Sequence, residues 1–419
     1  MSLKRALNLF DAVAIGVGAM IGAGIFVVTG IAAGFAGPAV IFSIILAGAV
    51  SIFTALSFAE LSSAIPLEGG AYQFVYKVVS HDVGFLAGWL WLFSNIVAGS
   101  AISMGLASYL NVLLPALPIR PVAVLACLLF AAVNVVGVKQ SSLFNNALVV
   151  FKILVLVIFV GLGILYLKPS HFSPLIPNGF AGILQGSSII FFAYAGFARI
   201  TTISEEVRNP EKTIPRAILI SMVVTSVLYI TTAFAAIGLI SFTDLASSSS
   251  PIAAAAGASG VSWTVTLISV GAVAATASVL LTIILGLSRV FYAMSRNKEF
   301  PATLSRVHGR LGTPYISILI MGGAMALLAM FADLGQVIAL SNFGSLLYYT
   351  LSNLAAVLLR RRLKNIRSGF RTPLYPFIPI AGMATCLLLL LTLDAKSWII
   401  GAFAVGLGMV YLLAKRMRR

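Results

Sequence analysis

A row of twelve apolar stretches, joined by short connectors, constrains this chain more than anything else in it. They run over residues 11–33, 38–65, 82–113, 120–137, 143–167, 180–203, 216–240, 261–295, 313–331, 333–359, 374–393 and 397–414. A helix needs roughly 20 apolar residues to cross ~30 Å of hydrocarbon, so each stretch is a candidate span. The expected fold is all-α and integral to the membrane, with 12 transmembrane helices. The longest connector, about 241–260, carries Ser247 to Ser250 ahead of Pro251 and leaves no room for a soluble domain. Lys4 and Arg5 ahead of an apolar run superficially resemble a signal peptide. The run 11–33 is too long for an h-region, and eleven more follow, so it is expected to stay as the first span.

The charge needs its own explanation. Residues are 60% hydrophobic and 9% charged, against roughly 25% charged in soluble domains, yet the net charge is +16. No basic run is interleaved with aromatics, so no nucleic-acid partner is expected. With the N-terminus placed inside, 22 of the 27 Lys and Arg fall on the cytoplasmic side. Arg120, Lys168 and Lys396 fall outside, while Lys152 and Arg199 stay within spans. That bias follows the positive-inside rule, predicts cytoplasmic N- and C-termini in a multi-pass cell-membrane protein, and favours an even number of spans. Cys127 and Cys386 sit in apolar runs and are expected to be packed thiols. His81, His171 and His308 are isolated, so no metal site is expected.

The first span is interrupted by glycine: Gly16-Val17-Gly18-Ala19-Met20-Ile21-Gly22-Ala23-Gly24-Ile25-Phe26. Such glycines serve either close helix contacts or a segment unwound at mid-membrane. A dinucleotide loop is excluded, because no alternating strand precedes them and no acid lies near residue 40. In the unwound reading, freed amides of the outer half-helix face an anion with a favourable dipole. The sixth span offers a counterpart, Phe191-Phe192-Ala193-Tyr194-Ala195-Gly196-Phe197-Ala198, with Gly196 falling 174 positions after Gly22. Glycine-interrupted first and sixth spans point to an inverted repeat in which spans 1–5 match spans 6–10. On this reading residues 1–359 form the transporter core and 360–419 add two further spans.

Five stretches together resemble the amino acid–polyamine–organocation superfamily of transporters. They are Gly18-Ala-Met-Ile-Gly-Ala-Gly-Ile-Phe26, Glu60-Leu-Ser-Ser-Ala-Ile-Pro-Leu-Glu-Gly-Gly-Ala-Tyr72 and Glu205-Glu-Val-Arg-Asn-Pro-Glu-Lys-Thr-Ile-Pro-Arg216. Ser288-Arg-Val-Phe-Tyr-Ala-Met-Ser-Arg296, followed by Gly312-Thr-Pro-Tyr315, and Phe370-Arg-Thr-Pro-Leu-Tyr-Pro376 complete the set. The resemblance implies a five-plus-five inverted-repeat fold with discontinuous helices 1 and 6 and alternating access to a midplane site. It implies that amides around Ala23, Gly24 and Ile25 take a substrate carboxylate. Carbonyls of Met20, Ile21, Phe192, Ala193 and Ala195 would take its amine. Some relatives carry an acid after the Gly-Phe of the sixth span, where this chain has Ala198 and then Arg199. A cationic substrate thereby loses a countercharge.

Lys152 lies about nine residues into the fifth span, or ~14 Å at 1.5 Å per residue, near the middle of a ~30 Å core. Lysines near span ends snorkel to the surface. One this deep is a functional candidate by default. By resemblance it occupies the place of a sodium ion, between the Gly18 carbonyl and the Ser278 hydroxyl, with the proton as coupling ion and no other cofactor. Arg199 is expected to snorkel or pair with Glu205 or Glu206, or to serve an inner gate. Glu60 is expected to close the cytoplasmic side structurally, and Tyr194 is either a gate or a packed aromatic. The expected function is proton-coupled symport of small neutral or apolar amino acids, with amino acid or polyamine exchange as the rival. An intramembrane enzyme would need paired Asp, Glu, His or Cys inside spans, and none occurs. A channel would need a filter repeat, also absent. The connector near Pro115 lacks cysteine, so no disulfide-linked accessory chain is expected.

Overall fold

The computed structural model describes residues 7–67, 69–136, 142–204, 206–309, 311–363 and 368–417. Among these the chain is helical throughout, and its one strand-like pairing is an isolated parallel bridge between Leu7 and Val207. The first apolar stretch is α1 (Leu9–Met20), a π-helical turn over Gly24–Val28, and α2 (Thr29–Ala36). Asn8 caps α1 in a reciprocal capping box with Asp11, satisfying two amides at the helix start. A 3-10 turn (Gly37–Ala39) then leads into α3 (Val40–Ala64). A short helix not anticipated from the sequence, α4 (Ala71–Val78), buries Ala71, Tyr72, Phe74, Val75 and Val78 and turns Lys77 outward. After it come α5 (His81–Leu113), α6 (Ile119–Val136) and α7 (Ser142–Leu165). Next is α8 (Gly179–Tyr194), which continues as a 3-10 helix over Ala195–Ile203.

The long α9 (Pro210–Leu239) starts well ahead of the apolar boundary expected at 216. Pro210 suits the first helical turn, where its missing amide costs nothing. Pro215 removes the bond that Glu211 would accept, and the Ser63 hydroxyl supplies that carbonyl instead at 2.7 Å. The expected connector 241–260 is itself folded, as α10 (Phe242–Ser247) and α11 (Pro251–Gly257). The chain ends with α12 (Ser262–Arg296), α13 (Tyr315–Phe331), α14 (Leu334–Arg362), α15 (Phe377–Leu391) and α16 (Ala395–Met417).

Eight helical runs among the described residues are long and apolar enough to cross a membrane, and α13 and α15 are shorter apolar helices. Large apolar side chains such as Leu154, Val157, Phe331 and Phe403 stand exposed around the outside. A soluble monomer rarely shows so much apolar surface, whereas hydrocarbon accepts it. The first and last described residues gather at one end of the bundle. There Leu7 pairs its backbone with Glu206 and Arg208, Lys415 meets Glu299 at 2.5 Å, and Arg416 meets Asp82. At the opposite end α10 and α11 pack on α2. Tyr109 ties the two by donating to the Phe26 carbonyl at 2.5 Å and accepting from the Ile252 amide at 3.2 Å.

Candidate substrate site at the broken helices

The first helix breaks because Ile21 turns extended (φ −74°, ψ 94°) after its amide has closed the last turn on Val17. Among the described residues, the amides of Gly22, Ala23, Gly24 and Ile25 donate to no backbone carbonyl. These are the orphan donors of a helix start, and the dipole of the segment beyond them adds positive potential. Such a start is a ready anion site. The break lies where the first helix approaches the sixth closely. A Cβ on Gly24 would lie 2.6 Å from the Ala193 Cα, and one on Gly196 would lie 2.5 Å from the Ala19 carbonyl oxygen. Gly24 thus serves close contact, while the backbone break lies at Ile21. The sixth stretch is not unwound at its glycine. It tightens from α to 3-10 geometry at Ala195.

The carbonyls expected to meet an amine are largely engaged already. The Tyr229 hydroxyl lies 2.6 Å from the Met20 oxygen and 3.1 Å from that of Ala193, bridging the broken first helix and α8. Tyr349 donates to Ala195 at 2.9 Å, and Lys152 to Ile21 at 3.3 Å. Each carbonyl keeps a second lone pair, so a ligand amine could still be accepted. The two tyrosines escaped the sequence reading, although a buried phenol in mid-span needs a partner and so signals one.

Two cavities meet here. The smaller, about 30 Å³, is lined by Gly22, Ala23, Gly24, Phe192, Ala193 and Ala195 together with Ser94, Asn95, Ser341 and Tyr348. That is room for about two or three waters, so an amino acid enters only if its walls move. Neither Ile21 nor Ile25 lines it. The larger cavity, about 410 Å³, reaches from Gly18 and Ser278 down to Leu7, Glu206 and Arg289. Ala19, Asn95 and Arg199 line both. The serines and asparagine of α5 and α14 were also missed, and their signal was polar residues in the middle of apolar spans.

Lys152 on α7 is 1% exposed. Its ammonium reaches the Ser278 hydroxyl at 2.5 Å, the Gly18 carbonyl at 3.1 Å and the Ile21 carbonyl at 3.3 Å. Three donors thus meet three acceptors, one of them on the residue where the first helix breaks. The Ile21 contact was not foreseen. Gly18 and Ser278, the two expected partners, are both present.

The gate candidates separate. Arg199 does not pair with Glu206, whose carboxylate takes Arg289 at 3.0 Å, and Glu205 lies outside the described residues. The Arg199 guanidinium lies between the two cavities instead. Tyr194 lines neither. It packs edge-on against Tyr229, its hydroxyl 3.4 Å from the Ile44 carbonyl. Glu60 is 1% exposed and accepts from Arg360 at 2.7 and 3.1 Å and from the Thr372 amide at 3.0 Å. It fastens α3 to α14 away from both cavities. Removing one partner of a fully buried pair costs about 3–5 kcal/mol, and the cost here is smaller because the Arg360 side chain is 32% exposed. Glu60→Ala is therefore expected to lower the midpoint of thermal unfolding in detergent by several degrees, and an unchanged midpoint would refute the lock.

A family model described as amino acid permease matches residues 11–403. The chain belongs to the amino acid permease family. The permease is 34% identical to the branched-chain amino acid permease BcaP of Bacillus subtilis (strain 168) over 412 residues, 94% of this chain and 89% of that one. It is also 34% identical to the methylthioribose transporter of the same strain over 436 residues, 99% of this chain and 94% of the relative. Mouse cationic amino acid transporter 4 is 32% identical over 383 residues, covering 86% of the permease and 60% of the mouse chain.

Proposed function

We propose that this permease is a proton-coupled amino acid symporter working by alternating access, with small neutral and apolar amino acids as substrates. The observation that carries this reading is the pairing, on one broken segment, of free amides at Gly22 to Ile25 with the Lys152 ammonium on Gly18, Ile21 and Ser278. The amides of Ala23, Gly24 and Ile25 take the substrate carboxylate. The spare lone pairs of Met20, Ile21, Phe192, Ala193 and Ala195 take its amine. Lys152 stands where another carrier would hold a sodium ion, so the proton is the coupling ion and no further cofactor is needed. Twelve helices cross the cell membrane, with both termini in the cytoplasm. Residues 1–359 form the five-plus-five core, and 360–419 add the last two helices. In this frame the 410 Å³ cavity is a vestibule open to the cytoplasm. The relatives' names cover branched-chain and cationic amino acids and a thio-sugar, so side-chain choice comes from this chain's own residues.

Recognition by backbone groups makes a direct forecast. In proteoliposomes with an acidic outside, alanine should be accumulated. Alanine amide and N-acetylalanine should compete at least about tenfold more weakly than alanine, since each loses a charge-assisted hydrogen bond worth about 1.5–3 kcal/mol. Equal competition by either would sink backbone capture. Counterflow that proceeds fully without a pH difference, with no net accumulation when one is imposed, would instead identify an exchanger.

A further inference from the structure

We propose that Arg199 reads the substrate side chain, so that the site accepts amino acids whose side chain ends in a carboxylate, with glutamate as the type. This rests on the amino acid site described above and departs from the range given there: small neutral side chains stay within it, while longer apolar ones are held less well than acidic ones of the same length. Arg199 sits on the 3-10 continuation of α8, one turn beyond the Ala193–Ala195 carbonyls, and lines both cavities. Its Nη1 is buried and has no hydrogen-bond partner. Among the described residues no carboxylate pairs with it: Asp11 accepts from the Asn8 amide at 3.0 Å and from Asn146 at 2.8 Å, and Glu206 holds Arg289. No carboxylate among the described residues lines the smaller cavity, whose other polar side chains are Ser94, Asn95, Ser341, Ser345 and the phenol of Tyr348.

A buried guanidinium without a counter-anion is costly, and a carboxylate presented in its plane matches two of its N–H groups at once. A substrate held by its α-carboxylate at Gly22–Ile25 and its amine at the facing carbonyls directs its side chain away from both. Arg199 borders the same cavity on the vestibule side, within reach of a side chain carrying its own acceptor. A site with an unsatisfied donor rejects an isostere lacking the acceptor far more strongly than a plain apolar pocket does. A cationic side chain would meet like charge.

The test is inhibition of labelled alanine uptake into proteoliposomes by L-glutamate, L-glutamine and L-norvaline, in wild type, R199K and R199Q. In wild type, glutamate should compete at least tenfold better than norvaline, which has nearly the same length and no acceptor, with glutamine between them. The glutamate-to-norvaline ratio should fall about tenfold in R199Q and less in R199K. The wild-type comparison stands even if a variant folds poorly. Glutamate competing no better than norvaline in wild type, or an unchanged ratio in folded R199Q, would overturn the role of Arg199 while leaving amino acid transport intact. Absence of alanine uptake in wild type would instead bring down the transport reading on which it rests.

Discussion

Lys152→Ala is expected to retain measurable amino acid binding and to lose all stimulation of uptake by an outside-acid gradient. A pH difference of one unit is worth about 1.4 kcal/mol per proton, so one-to-one symport accumulates substrate about tenfold in wild type. The variant should equilibrate without accumulating. The charged amine offers three donors, matched to Gly18, Ile21 and Ser278, and so ties the inner half of the broken helix to α12. Losing the proton to the vestibule removes both the charge and one donor, which loosens that tie. Protonation then favours one of two carrier states through a difference in contacts, which is what coupling requires. The sign follows: acid outside loads the amine, and the more alkaline cytoplasm unloads it. The check is accumulation with and without the gradient, wild type against variant. Full gradient stimulation in Lys152→Ala would make the lysine structural and move the proton path elsewhere.

Gly24→Val is expected to reduce transport by at least tenfold while the protein still inserts into the membrane. Even the first added carbon would lie 2.6 Å from both the Cα and the Cβ of Ala193, so backbone rather than a flexible side chain must give way. Overpacking of that kind costs about 1–3 kcal/mol. Here it pushes the broken first helix away from the sixth, which Tyr229 bridges, at the place where the free amides converge. Some loss of thermal stability should accompany the loss of uptake. Gly323→Ala, at a glycine with nothing within 4 Å of the added carbon, is the matched control and should behave as wild type. Normal uptake in Gly24→Val would show that the close contact of the two helices does not matter to transport.

Much of the architecture was legible because hydrocarbon leaves few choices. Apolar runs of this length must be helices, and their ends fell within a few residues of the observed ones, as for 82–113 against His81–Leu113. The exceptions have local causes. The start of α9 at Pro210 lies in polar sequence that hydropathy ignores, and its Pro215 is tolerated only because Ser63 of another helix satisfies Glu211. Helices α4, α10 and α11 are too short to register as spans. The depth of Lys152 and the glycines around residue 22 were visible as departures from an otherwise apolar pattern. By contrast, Tyr229, Tyr349, Ser94 and Ser341 are ordinary polar residues in one dimension, and only packing brings them to the broken helices.

The division has a physical basis. By itself, the sequence determined that the chain is a helical membrane protein and roughly where its long helices lie, while the glycines around residue 22 left close contact and unwinding both open. The first two are properties of one segment in its solvent, set by transfer of side chains into hydrocarbon. Tertiary structure alone decided which partners each polar group found. It gave Glu206 to Arg289 and so left Arg199 facing the cavities, it spent the Met20 and Ala193 carbonyls on Tyr229, and it set Ile21 beside Lys152. These pairings join residues far apart in the chain. They follow from how closely the helices approach, a distance that no periodicity along one segment records.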